Sequence, residues 1–140
     1  MPTKTRVATS GDVFIREDLS RSWDSESVSV VNATAWDFKL LAGQPFTAAV
    51  PTISGAANAA TQFVLFPTVV PAGVTAKVTM LPRGVGVVVD ATRLAGIVDM
   101  SSAAGVAFTG TGLTSEIATR MTALNFICRL ESANRNTQAN

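Results

Sequence analysis

Ser25-Glu26-Ser27-Val28-Ser29-Val30 alternates polar and apolar residues without interruption. On an extended chain successive side chains point to opposite faces, so this period of two predicts a half-buried β-strand. The same rhythm returns in Trp36-Asp37-Phe38-Lys39-Leu40, whose large residues share one face while Asp37 and Lys39 share the other. Gln62-Phe63-Val64-Leu65-Phe66 is a short apolar run ended by Pro67, the pattern of a strand buried on both faces. Val74-Thr75-Ala76-Lys77-Val78-Thr79-Met80-Leu81 stops at Pro82, and Val85-Gly86-Val87-Val88-Val89 follows as a β-branched strand.

Between these runs lie turn residues: Leu41-Ala42-Gly43-Gln44, Ser54-Gly55-Ala56, Pro71-Ala72-Gly73 and Pro82-Arg83-Gly84. Glycine supplies positive φ and proline presets a turn dihedral. Such close spacing favours an antiparallel barrel or sandwich over βαβ units. The small-residue stretch Ser54–Thr61 reads as a loop, with a short helix as the alternative.

One helix is expected, over residues 114–124. Thr114 is the candidate N-cap, and Glu116 in the first turn complements the helix dipole. Ile117, Met121 and Leu124 form one apolar stripe facing the β core, and Asn125 can end the helix in the left-handed conformation. Phe126–Leu130 is then a closing strand. The predicted fold is mainly β: a small antiparallel β-barrel or sandwich with one short C-terminal helix and an extended N-terminal arm.

The 140 residues suffice for one domain with a real core. Charge divides them. Of the 11 basic and 10 acidic residues, nine lie in the first 26 positions, whereas residues 27–76 hold only Asp37 and Lys39. Residues 1–24 therefore read as an arm, 25–131 as the body and 132–140 as a polar tail. A body so poor in charge either uses Ser, Thr, Asn and Gln for solubility or hides surface against partners.

Composition narrows the chemistry. There is no histidine, no tyrosine and a single cysteine. His-ligated metal sites, Ser-His-Asp and Cys-His machinery and an intrachain disulfide are excluded. Cys128 lies in the apolar stretch Asn125–Cys128 and reads as a structural residue. The carboxylate pairs Glu17-Asp18 and Asp24/Glu26 sit in the polar arm, where nothing raises a carboxyl pKa for acid work. Gly84-Val85-Gly86 runs into valines instead of a helix, so it is no dinucleotide fingerprint. Trp36 reads as core, with a sugar or base platform as the alternative. Net charge is +1, too small to attract nucleic acid or an anionic membrane. No apolar segment follows the basic N-terminus, and the charge-free run from Lys39 to Lys77 is broken by four prolines and three glycines. A soluble protein without catalytic activity, metal or cofactor is expected.

The order of these elements resembles the head decoration (capsid cement) proteins of tailed bacteriophages, of the lambda type. Phe14-Ile15-Arg16-Glu17-Asp18-Leu19-Ser20-Arg21 resembles that family's arm, and Glu26-Ser27-Val28-Ser29-Val30 its first strand. Leu41-Ala42-Gly43-Gln44-Pro45-Phe46, Lys77–Val85 and Leu113–Leu130 are similar to its later turn-strand, central strand and closing helix-strand. The segment 51–66 departs from the pattern, and Asn125 stands where the family often has glycine.

The resemblance implies a β-tulip-like fold and a structural virion protein. Made in the host cytoplasm, it would bind the outer surface of the expanded capsid and cement neighbouring major capsid protein subunits against DNA pressure. It also implies self-association, as a homotrimer at threefold and local threefold positions, and no nucleic-acid or membrane partner. The alternatives are another phage structural β protein, tail- or fibre-associated, and a carbohydrate-binding β-sandwich.

Val13, Phe14, Ile15, Arg16, Glu17, Leu19 and Arg21 are the candidate capsid-binding residues, because Val13-Phe14-Ile15 is the only compact apolar group in the arm. The expected arrangement adds this segment as a strand to the capsid protein. A body lacking residues 2–20 would then keep its melting temperature and lose shell binding.

Overall fold

Alternating residues sort onto two separate cores, one on each side of a central sheet. The computed structural model describes residues 13–16, 25–47, 50–51, 57–82 and 87–130, and the statements below concern these. The central sheet runs β2 (Glu26–Val31), β8 (Thr75–Leu81), β6 (Gln62–Val64), β4 (Pro45–Thr47) and β5 (Val50–Pro51), antiparallel throughout. On one face, Val30, Phe46, Val64, Val78 and Met80 pack with Phe38, Leu40 and Val70. The last three come from a two-stranded ribbon of β3 (Phe38–Leu40) and β7 (Thr68–Val70). On the other face, Phe63, Leu65 and Leu81 pack with Val13, Val87, Val89, Ile117, Met121 and Phe126.

Parity explains the division. Phe63 and Val64, or Met80 and Leu81, are neighbours in the chain and so must enter opposite cores. β6 is therefore buried along its whole length, as its unbroken apolar run predicts.

The second core is closed by a three-stranded sheet in which β9 (Val87–Asp90) lies between β1 (Phe14–Arg16) and β12 (Ile127–Arg129). β1 is antiparallel to β9, but β12 runs parallel to it. The helix between β9 and β12 makes this parallel return available, since a crossover needs an element of its own. β10 (Val98–Asp99) and β11 (Val106–Ala107) form a separate hairpin.

The single described α-helix, α1, spans Glu116–Ala123. Its N-cap is Ser115, whose hydroxyl accepts from the Ala118 amide at 3.0 Å. Thr114, the expected cap, instead ends a 3₁₀ turn (Gly112–Thr114) and donates its hydroxyl to the Thr111 carbonyl. Ile117 and Met121 are buried. Leu124 falls just past the last helical residue and is half-buried, which weakens its part in the stripe. Asn125 ends the helix at φ 72°, as expected.

The stretch read as a loop contains a 3₁₀ turn at Ala57–Ala59, held to the helix by the Arg120 Nε–H donating to the Ala60 carbonyl at 2.7 Å. Ala57 and Ala60 are fully buried there, so the small side chains permit close approach. Gly43 has a similar constraint. It takes φ 96°, and a Cβ would lie 2.8 Å from Leu94 Cδ2.

Candidate docking edge and groove

Three of the buried polar side chains are committed to their own turns, whereas Gln44 donates its Nε2 to the Val98 carbonyl at 3.0 Å. Asn32, Asp90 and Asp99 are each followed two residues later by a hydroxyl residue, and each carboxyl or amide oxygen accepts both the amide and the hydroxyl of that residue. These are Asx turns, in which a side chain replaces a backbone acceptor. Asn32-Ala33-Thr34 has the spelling of a glycosylation acceptor, yet Asn32 is fully buried and its Nδ2 donates to the Trp36 and Val70 carbonyls. Cys128 is half-buried, and desolvation pushes its thiol pKa up from the ordinary value. Among the described residues no three His, Cys, Asp or Glu side chains form a metal-binding group. No helix there is long and apolar enough to cross a membrane.

The arm residues chosen from sequence are placed differently from one another. Val13 is fully buried in the second core, and Phe14, Ile15 and Arg16 pair with Val89, Val88 and Val87 of the same chain. Glu17, Leu19 and Arg21 lie outside the described residues, as does the tail 132–140. Residues 14–16 are paired within the chain, by β9.

Removing residues 2–20 takes Val13 out of the core and strips one flank of β9. Instead of leaving the body's stability unchanged, the deletion is expected to lower its melting temperature by roughly 5–10 °C in thermal unfolding. An unchanged value would show that β1 contributes nothing.

The open strand edge lies elsewhere. The five-stranded sheet ends on one side at β5, which is two residues long and terminates at Pro51, a residue without an N–H. Short strands and proline are the usual protection of a sheet edge. Its other end is β2, six residues long, with no proline and Glu26 as its single charge.

The register shows which groups β2 offers. Asn32 donates its amide to the Val74 carbonyl, directing Asn32 toward the partner strand. Counting back by two, Val30, Val28 and Glu26 also face β8. The Thr79 carbonyl, opposite Ser27, instead accepts from Leu65 on the far side of β8. Ser27, Ser29 and Val31 therefore turn both N–H and C=O outward. Their side chains are exposed too, Val31 at 61%.

A groove of about 440 Å³ lies against the first core, between the chain entering β3 and the β10–β11 hairpin. Trp36 forms one wall. Its ring packs on the core, and its indole N–H donates to the Met100 carbonyl at 3.1 Å, which fixes the ring plane. Trp36 packs inward, as its core reading expects, and also lines the groove. Asp37 and Lys39 share the exposed face of the same segment, as their alternation predicts.

Sequence reasoning found the alternation in both places but not the site. Whether a strand is an edge, and which loop faces a tryptophan, depends on residues far along the chain. The available local signal was the lack of lysine and proline inside residues 27–31. No family model, curated protein or solved structure matches this chain.

Proposed function

We propose that this protein is a structural component of a tailed-bacteriophage head, binding the outer surface of the expanded capsid and cementing adjacent subunits. The observation that carries this function is the β2 edge, which no other described strand pairs, on a body whose residues 27–76 hold only Asp37 and Lys39. An exposed strand edge is a template for another chain, and soluble proteins normally block it. A segment of the major capsid protein lying along β2 would pair with the outward groups of Ser27, Ser29 and Val31. Backbone bonds supply affinity, and Glu26 and Lys77 are the only charges on β2 and β8 that would have to be desolvated or paired. Small gains per copy then accumulate over a shell that displays many equivalent positions. Copies of the protein meeting around its threefold axes would bury further charge-poor surface. The resemblance of its sequence elements, in their order, to those of head decoration proteins supports the same reading.

Ser29→Pro tests the edge cleanly. It removes an outward N–H and leaves the β2–β8 ladder intact, and edge strands tolerate proline. The variant is expected to stay folded, with a loss of about 1 kcal/mol or less. In co-sedimentation with expanded, DNA-free capsids its occupancy should fall at least about tenfold, the effect of losing one or more backbone bonds in a desolvated interface. Wild-type occupancy by the folded variant would remove β2 from the interface. Failure of the wild-type protein to bind any such shell would remove the function.

A further inference from the structure

We infer that the Trp36 groove is a saccharide site, accepting a neutral pyranose ring stacked on the indole. It is separate from the β2 edge and does not depend on capsid binding. Three observations determine the ligand class. First, the ring is held before anything binds, because its N–H is committed to Met100 and its inner face to the core. A rigid aromatic wall loses little entropy on binding and suits a ring that presents C–H bonds on its face.

Second, the polar groups beside the ring are paired in sign and free to act. Asp37 Oδ1 accepts from the Ala72 amide at 3.0 Å, which orients the carboxylate and leaves Oδ2 without a partner. Lys39 makes no hydrogen bond or ion pair. The two side chains project from the same face of an extended segment, roughly 6.5 Å apart along the chain. Both line the groove that Trp36 lines, and so give it one acceptor and one donor. A phosphate or carboxylate ligand would meet Asp37 repulsion, and a cation would meet Lys39. An uncharged ring bearing hydroxyls satisfies both, because each hydroxyl can donate and accept.

Third, the opposite wall is built from Gly96, Ala103, Ala104 and Gly105, which leave room for a bulky ring. The volume, about 440 Å³, falls in the range of small-ligand sites, roughly 300–1,000 Å³.

The test uses full-length protein carrying Trp23→Phe, so that Trp36 is the only fluorophore of its kind. Maltotriose, cellotriose, mannotriose and chitotriose are titrated, with inorganic phosphate and triglycine as competitors of other classes. A saturable change in tryptophan emission is expected with at least one trisaccharide. Ala104→Leu, which fills the groove, and Lys39→Ala, which removes the donor, should each weaken that binding at least about tenfold. Both changes are on exposed side chains, so the variants remain folded; circular dichroism checks this. The site is overturned if no trisaccharide gives a saturable change. It is equally overturned if Ala104→Leu binds as the parent does, or if phosphate or triglycine binds more tightly than every sugar. Capsid occupancy of Ala104→Leu should match wild type, which separates failure of this site from failure of the proposed function.

Discussion

Phe63→Ala is expected to destabilise the protein by about 3–5 kcal/mol, measured as a drop in the urea midpoint at unchanged m-value. Phe63 is fully buried on β6, opposite Pro45 on one side and Leu81 on the other. Its ring meets Phe126 edge-to-face, with centroids 5.4 Å apart and planes at 83°. Phe126 follows the left-handed Asn125 that ends α1, so this aromatic pair joins the central sheet to the helix and to β12. Truncation loses the transfer energy of the ring, the aromatic contact and the packing around the space left behind. Domains of this size have only about 5–15 kcal/mol in total, so roughly a fifth or more of the margin is at stake. A loss below about 1.5 kcal/mol would mean that helix and sheet close over the gap, contradicting a rigid joint between them.

Asn32→Ala should cost about 2–4 kcal/mol in the same measurement, although it deletes only an amide. Nδ2 donates to the Trp36 carbonyl at 2.7 Å and to the Val70 carbonyl at 2.9 Å. Oδ1 accepts from the Thr34 amide at 3.0 Å and from its hydroxyl at 2.6 Å. One buried side chain therefore ties the end of β2 to β7 and to the chain that carries Trp36. The Trp36 carbonyl keeps the Thr34 hydroxyl at 2.9 Å, but alanine takes away the acceptor of the Thr34 amide and a donor to the buried Val70 carbonyl, each loss costing about 1–3 kcal/mol.

Asn32→Asp separates donor from acceptor. It keeps the oxygen that Thr34 uses but turns both donated bonds into contacts between a carboxylate and carbonyls. Burial beside those carbonyls raises the folded-state pKa of the new acid above its unfolded value. Its stability is therefore greatest in acid and declines as pH rises from the ordinary carboxylate range through the raised folded value. A flat pH profile for this variant would show that water reaches the site.

Much of the fold can be read from local pattern, because each strand carries its own period. Ser25–Val30, Phe38–Leu40 and Val74–Leu81 alternate, and the structure buries the residues that the alternation selects. The neighbouring hydroxyls of Asn32, Asp90 and Asp99 are local too, and the Asx turns they form could have been anticipated from spacing alone. What pattern does not contain is the identity of the partner. Val13-Phe14-Ile15 is visibly an apolar group in a polar arm, yet the strand that receives it lies more than seventy residues away. Thr114 and Ser115 are both plausible caps by chemistry, and the preceding 3₁₀ turn decides between them. The β2 edge and the Trp36 groove are products of assembly in the same sense. Their residues are ordinary in sequence and become distinctive only through what stands beside them, or does not.

The position of β9 has a kinetic consequence. Val89 is flanked by Phe14 on one side and by Cys128 on the other. Closing that sheet requires two long loops to be drawn together, and the entropy is lost before any of the contacts form. The β2–β8 and β3–β7 pairs span shorter stretches than β1–β9 and can assemble before it. A folding chain would therefore spend time with the central sheet present and β9 still unclasped on its β1 side, that edge of its valines bare to other chains. At high concentration this interval, more than any weakness of the finished molecule, is when misassociation competes with folding.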